Sequence, residues 1–280
     1  MEVVTAEVAG MCFGVRDALA ALAEIDRPDR VTIFGELVHN PIVSDRLKRR
    51  GFRTTGENER ACLPDTDIVL ITAHGVSDRE RDRLKAAGKT LIDTTCPLVV
   101  NAHRAAIGLR DRGFHVVVVG RAGHVEVRGI VEDLQSFDVV ERADDVKTYS
   151  YEKIGIVCQT TARACDVAAI RAAVADRNPS AVIEFVDTVC RPTKDHQRSL
   201  ETLLTRVDAM VVVGGANSNN TRELVKLCGE RGVRAIRVQS AAELDPAWFK
   251  GARVVGLTAG TSTLDESIAE VREALQAIDE

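Results

Sequence analysis

The chain has 280 residues, a net charge of −5 and only 4% aromatic residues, so it lacks both the basic balance that gathers phosphates and the rings that stack bases; no nucleic-acid partner is expected. Its 45% hydrophobic and 28% charged residues describe an ordinary globular protein with room for more than one core. No apolar run reaches the roughly 18 residues of a membrane helix, no basic leader opens the chain, and seven cysteines without export signals point to reduced thiols or metal ligands in a cytoplasmic protein.

One grammar recurs along the chain: an apolar run, a cluster of small polar residues, then a helical pattern. Gly10-Met11-Cys12 precedes Val15, Ala18, Leu19 and Leu22 at amphipathic spacing. Val31–Phe34 leads through Gly35 to His39-Asn40-Pro41, with Asn40 at an N-cap and Pro41 at the first helical position. Ile68–Thr72 leads to Ala73-His74-Gly75-Val76-Ser77, where Ser77 and Glu80 match a capping box. Leu91–Asp93 leads to Thr94-Thr95-Cys96, and Pro97 opens a helix whose expected buried face is Leu98, Ala102, Ala105 and Leu109. Val116–Val119 leads to Gly123-His124-Val125-Glu126, and Ile154–Val157 to Gln159-Thr160-Thr161. Val182–Val186 leads to Asp187-Thr188-Val189-Cys190, followed by Leu200, Leu203, Leu204 and Val207 on one helix face. Met210–Val213 leads to Asn217-Ser218-Asn219-Asn220, with Asn220 and Glu223 as a second capping box. Val254–Thr258 leads to Ala259-Gly260-Thr261-Ser262, closed by Thr263 and Glu266.

Unbroken apolar strands alternating with helices predict an α/β protein with mainly parallel sheets. About eleven short strands fit two or three small units better than one large sheet. Ligands in such folds bind beyond the carboxyl ends of the strands, and that is where the chemically capable residues cluster.

Cys12, Cys96 and Cys190 each follow a strand and stand before a helix, among Gly, Thr or Pro; a thiolate is favoured there. Zinc would prefer closely spaced cysteine pairs, and the chain has none. Single, widely separated cysteines suit an iron–sulfur cluster held from different domains, with three ligands leaving one iron open. Cys62, Cys158, Cys165 and Cys228 read as small buried packing residues. His39, His74 and His124, with Ser218, Asn219, Asn220 and Ser262 at helix starts, describe an anion pocket, whereas His103 and His115 read as surface or satisfied core residues. Neither Gly-x-Gly-x-x-Gly nor a Walker-type loop is present, which argues against a nucleotide cofactor. Glu126 is a candidate proton source for a leaving hydroxyl, and Thr160 a relay or an orienting group.

Gly10-Met11-Cys12-Phe13-Gly14-Val15, Val38-His39-Asn40, Ala73-His74-Gly75-Val76-Ser77, Asp93-Thr94-Thr95-Cys96-Pro97-Leu98-Val99, Gly123-His124-Val125-Glu126, Gln159-Thr160-Thr161, Asn217-Ser218 and Thr258-Ala259-Gly260-Thr261-Ser262, taken in order, resemble the 4-hydroxy-3-methylbut-2-enyl diphosphate reductase (LytB) family over the whole chain. The resemblance implies three small α/β domains in a pseudo-threefold, trefoil-like arrangement around a central cluster. The corresponding expected domains are residues 14–96, 97–186, and 187–280 together with 1–13. It implies a [4Fe–4S] cluster held by Cys12, Cys96 and Cys190, and a diphosphate held by His39, His74, His124, Ser218, Asn220 and Ser262, with Asn219 as an amide in a position where the family has a serine. Glu126 and Thr160 would lie near the substrate hydroxyl. The implied reaction is reductive dehydroxylation of an allylic diphosphate to isopentenyl and dimethylallyl diphosphate in the non-mevalonate isoprenoid pathway, with electrons from ferredoxin or flavodoxin.

Several positions depart from the family pattern. Ser218-Asn219-Asn220 replaces Ser-Ser-Asn, His124-Val125-Glu126 replaces His-Pro-Glu, Gly129-Ile130-Val131-Glu132 replaces Gly-Thr-x-Gly, and Thr193-Lys194-Asp195-His196-Gln197 replaces an Arg-Gln ending. These changes point to a divergent paralog. Two alternatives stay open at this level: a three-cysteine dehydratase that needs no electron donor, and a non-catalytic cluster or diphosphate sensor.

Overall fold

A computed structural model describes residues 1–278. The first third carries β1 (Glu2–Thr5), α1 (Phe13–Ala23), β2 (Val31–Phe34), α2 (Pro41–Arg49), β3 (Arg53–Thr55), β4 (Ile68–Ile71), α3 (Asp78–Ala86) and β5 (Thr90–Asp93). Then come α4 (Pro97–Asp111), β6 (His115–Val119), α5 (Val125–Val131), β7 (Phe137–Val140), β8 (Lys153–Cys158), α6 (Ala164–Arg177) and β9 (Val182–Phe185). The last are α7 (Arg191–Leu204), β10 (Ala209–Val213), α8 (Asn219–Glu230), β11 (Arg234–Val238), β12 (Val254–Ala259) and α9 (Asp265–Gln276).

Among the described residues the strands form three four-stranded sheets, ordered β3-β2-β4-β5, β7-β6-β8-β9 and β11-β10-β12-β1. Every pairing is parallel, with Ile33 opposite Leu70, Val118 opposite Val157 and Val211 opposite Leu257. The chemistry of the strands dictates this. His-Val-Val-Val-Val in β6 and Ala-Met-Val-Val-Val in β10 are buried along their whole length. Such β-branched runs need cover on both faces, and the crossover helices of a parallel sheet provide it.

The chain divides into two compact units. One comprises Met1–Val15, His39–Pro41 and Arg191–Glu280 and holds the β11-β10-β12-β1 sheet. Val211, Val213, Leu257, Val271 and Leu275 fill one side of that sheet, and Leu200, Met210, Val212 and Leu224 the other. The second unit, Arg16–Val38 and Ile42–Cys190, holds the other two sheets. Its cores gather Phe34, Val69, Ile71 and Leu84 under one sheet, and Ala102, Leu109, Val116, Val118 and Ile130 under the other. The three sheets fall one each in residues 14–96, 97–186, and 187–280 with 1–13. Among the described residues no helix is long and apolar enough to cross a membrane.

Several local expectations need correction. The buried stripe of α4 is Val99, Ala102, Ala106 and Leu109, so Leu98 and Ala105 lie beside it. Leu109 packs over β8 at Gly155, where an added Cβ would come within 2.8 Å of its methyl carbons. Ser218, not Asn220, caps α8 by accepting the Thr221 amide, and α9 begins after Leu264 rather than from a Thr263 cap. Ser77 does cap α3, but Glu80 turns to Arg83 instead of closing the box. Cys62 and Cys165 are exposed, whereas Cys158 and Cys228 are the buried packing residues expected.

Candidate active site

The repeated sheet topology places the candidate side chains at repeated loop positions. His39, His124 and Ser218 each stand five residues past a strand end, at Phe34, Val119 and Val213. His74 and Ser262 stand three residues past Ile71 and Ala259, and Thr160 two past Cys158. These are the carboxyl-end loops where parallel sheets bind ligands.

Within the first unit, the loops after β10 and β12 are locked together. The Gly260 amide and the Thr263 hydroxyl both donate to the Val213 carbonyl, each at 2.9 Å. Asn220 Oδ1 accepts the Thr261 amide at 3.0 Å. The Asn40 amide Nδ2 donates to the Ser262 carbonyl at 2.7 Å, and the Ser262 hydroxyl to the His39 carbonyl at 3.3 Å. Gly215 passes so close to His39 that an added Cβ would sit 2.6 Å from that carbonyl. His39, Ser218, Asn219, Asn220 and Ser262 are therefore gathered, all buried, beside the start of α8, where amide N–H groups and the helix dipole favour an anion. Asn220 is 1% exposed, and its Nδ2 has no acceptor in the protein; a buried donor of this kind is open to an acceptor from outside the protein. Below this cluster, buried His196 donates from Nδ1 to the Ala259 carbonyl at 3.1 Å, and burial holds its pKa below the usual histidine value. The bonds by which Thr261, His196 and Asn40 hold these loops together are not foreseen in the sequence. Their signal in the sequence, a polar residue next to a strand end or on a buried helix face, is no different from that of a solvated one.

The second unit holds His74, His124, Glu126 and Thr160. The rings of His74 and His124 meet edge to face, with centroids 5.8 Å apart. His124 caps α5 with Nδ1, which accepts the Glu126 amide at 3.2 Å; the proton of the neutral ring is thereby placed on Nε2. Glu126 is 2% exposed. Its Oε1 accepts the Thr160 amide at 2.6 Å and its Oε2 the Thr160 hydroxyl at 3.0 Å. The Thr160 carbonyl in turn accepts the Cys190 amide at 2.9 Å. Of the two settings expected for His115, surface or satisfied core, the structure has the second: it is buried between Ser136 (2.7 Å) and Asp138 (3.0 Å). His103 differs from expectation, because its Nε2 is buried without a partner.

Each of the three cysteines is the residue immediately before a helix: Cys12 before α1, Cys96 before α4 and Cys190 before α7. All three are half-buried. Each amide bonds the exit loop of the strand next to its own, at Thr261 (3.0 Å), Ala73 (3.1 Å) and Thr160 (2.9 Å) respectively. Cys12 belongs to the first unit, and Cys96 and Cys190 to the second. Among the described residues no three His, Cys, Asp or Glu side chains gather around a single ion. A multi-iron cluster asks for something else, since each thiolate takes a different iron. Half-buried cysteines at the positive ends of long helices are suited to that chemistry.

A family model described as LytB protein matches residues 3–276. The chain is 36% identical over 271 residues to a protein of Anaeromyxobacter sp. (strain Fw109-5) named 4-hydroxy-3-methylbut-2-enyl diphosphate reductase, covering 95% of this chain and 93% of the other. It is 34% identical to a protein of the same name from Aquifex aeolicus (strain VF5), covering 99% and 97%. Among solved structures, the E-1-hydroxy-2-methyl-but-2-enyl-4-diphosphate reductase of Plasmodium falciparum matches with a TM-score of 0.89 at 27% identity, covering 98% of this chain and 88% of that one.

Proposed function

Since the chain belongs to the LytB protein family, we propose that it reduces 4-hydroxy-3-methylbut-2-enyl diphosphate to isopentenyl and dimethylallyl diphosphate. The observation that carries this reading is a short run of bonds: both Glu126 oxygens on Thr160, and the Thr160 carbonyl on the Cys190 amide. It ties a buried carboxylate to the backbone of a thiol. Cys12, Cys96 and Cys190 would hold a [4Fe–4S] cluster, which when bound supplies the two electrons and a Lewis-acidic iron. The half-buried, helix-start setting of all three thiols supports that assignment.

The chain's own residues do the rest. His39, Ser218, Asn219, Asn220 and Ser262 bind the diphosphate through amide, hydroxyl and imidazole donors, with His74 and His124 as further donors. The Asn220 Nδ2 supports this role, since nothing in the protein accepts from it. Glu126 holds a proton at its carboxyl and gives it to the departing oxygen; the Thr160 hydroxyl fixes the carboxyl in place. The C–O bond breaks, one proton leaves with the oxygen as water, and the second joins the allyl carbon as two electrons enter. A ferredoxin or flavodoxin fits as electron donor for a cytoplasmic enzyme.

Reconstituted protein, held under nitrogen with a reduced mediator and 4-hydroxy-3-methylbut-2-enyl diphosphate, is expected to release both five-carbon diphosphates. A reconstituted, reducible protein that releases neither overturns the proposal. Turnover without any electron donor would instead select the dehydratase chemistry.

A further inference from the structure

Two stretches of the chain share the pattern Asp-Thr-x-Cys, Asp93-Thr94-Thr95-Cys96 and Asp187-Thr188-Val189-Cys190, each at the exit of the edge strand of its own sheet, β5 and β9. The bonds repeat as well as the letters. Asp93 Oδ1 accepts the Thr95 amide at 2.9 Å, and Asp187 Oδ1 the Val189 amide at 3.2 Å; each is an Asx turn. The Thr94 hydroxyl donates at 2.6 Å to the carbonyl of Ile71, the last residue of β4. The Thr188 hydroxyl donates at 2.5 Å to the carbonyl of Cys158, the last residue of β8, and accepts that residue's amide at 2.7 Å. Two residues further on, the cysteine amides bond Ala73 and Thr160. The third sheet keeps the register without the hydroxyl: the Gly10 amide reaches the Ala259 carbonyl at 3.5 Å, and the Cys12 amide the Thr261 carbonyl at 3.0 Å.

We propose that Thr94 and Thr188 are positioning residues for Cys96 and Cys190. Each hydroxyl pins the strand exit to the neighbouring strand, so that the thiol two residues later starts from a fixed backbone direction. The inference deepens the proposed function, in which these thiols are cluster ligands, and rests on that reading for its purpose. Thr188, buried and bonded to both polar groups of Cys158, forms the tighter clamp.

The test is site-resolved alkylation of the metal-free, reduced, full-length protein with iodoacetamide, read by mass spectrometry. Thr188→Val removes both hydroxyl bonds to Cys158 and is expected to speed modification of Cys190 about five- to hundredfold, the population change that loss of two ordinary hydrogen bonds produces. Cys96 and Cys12 should keep their rates, and Thr188→Ser should restore that of Cys190. Thr94→Val and Thr94→Ser repeat the experiment at Cys96, at a less buried position, should the valine at 188 prevent folding. An unchanged Cys190 in Thr188→Val, an equal rise at all three cysteines, or a serine that rescues nothing overturns the assignment. Expected alkylation in a protein that never takes up iron and sulfide would sink the cluster reading and leave the clamp standing.

Discussion

Asn220 divides its two polar ends: the oxygen holds the Thr261 amide, and the nitrogen has no acceptor in the protein. Asn220→Asp keeps the first contact and turns the second into an oxygen facing phosphate. The expected result is a KM for the diphosphate raised roughly ten- to hundredfold, the range of a lost hydrogen bond to a charged group, with a smaller change in kcat; steady-state kinetics checks it. A KM left at the wild-type value would remove Asn220 from the diphosphate site. Other side chains are ruled out of chemistry by their surroundings. Burial pushes the Cys228 thiol up to about 12, so it stays protonated and inert at neutral pH. Cys62 and Cys165 are exposed, which their local sequence did not announce: a small residue between polar neighbours packs or not according to what lies over it.

At the scale of elements, α4 shows both the strength and the limit of periodicity. The stripe at spacing i, i+3, i+7 and i+10 is present, and it keeps Ala102 and Leu109, but it turns away from Leu98 and Ala105 toward Val99 and Ala106. Spacing defines a stripe; the sheet beneath decides which edge of it is covered. The same helix carries His103, whose ring lies 3.1 Å from where a Gly129 Cβ would stand. Burial, with Arg81 nearby, lowers its pKa from 6.5 to about 4, against the opposing pull of Asp133 and Asp78. Between those two values the unfolded chain holds the proton and the folded one does not, so stability falls as pH falls. The loss from this group approaches about 1.4 kcal/mol per pH unit inside that window. Denaturant unfolding of wild type and His103→Leu at pH 7, 5.5 and 4.5 is expected to show the difference between them shifting by that slope. Parallel curves would mean that His103 does not titrate with folding.

For the molecule as a whole, three sheets share one strand order, and a cysteine follows the same edge strand in each: β1, β5 and β9. If all three thiols serve one cluster, Cys12→Ser, Cys96→Ser and Cys190→Ser should each lose most of the bound iron and acid-labile sulfide after reconstitution, while Cys62→Ser and Cys165→Ser keep it. Retention of the full iron content by any of the first three would take that cysteine out of the ligand set. Much of this plan is written locally. Apolar runs, the polar clusters that end them, Pro97 and Pro41 at helix starts, and the cysteines placed between strand and helix all follow from short-range sterics and the preferences of helix ends. The sequence by itself therefore determined the alternation of strand and helix, the parallel sheets and the placing of the cysteines, histidines and hydroxyls in the loops beyond the strands. The tertiary structure alone decided which loops meet: Glu126 with Thr160, Asn220 with Thr261, Asn40 with Ser262, each pair more than thirty residues apart. Such bonds depend on strand order and on which faces are buried, and both are settled by the packing of distant elements, which no local pattern encodes.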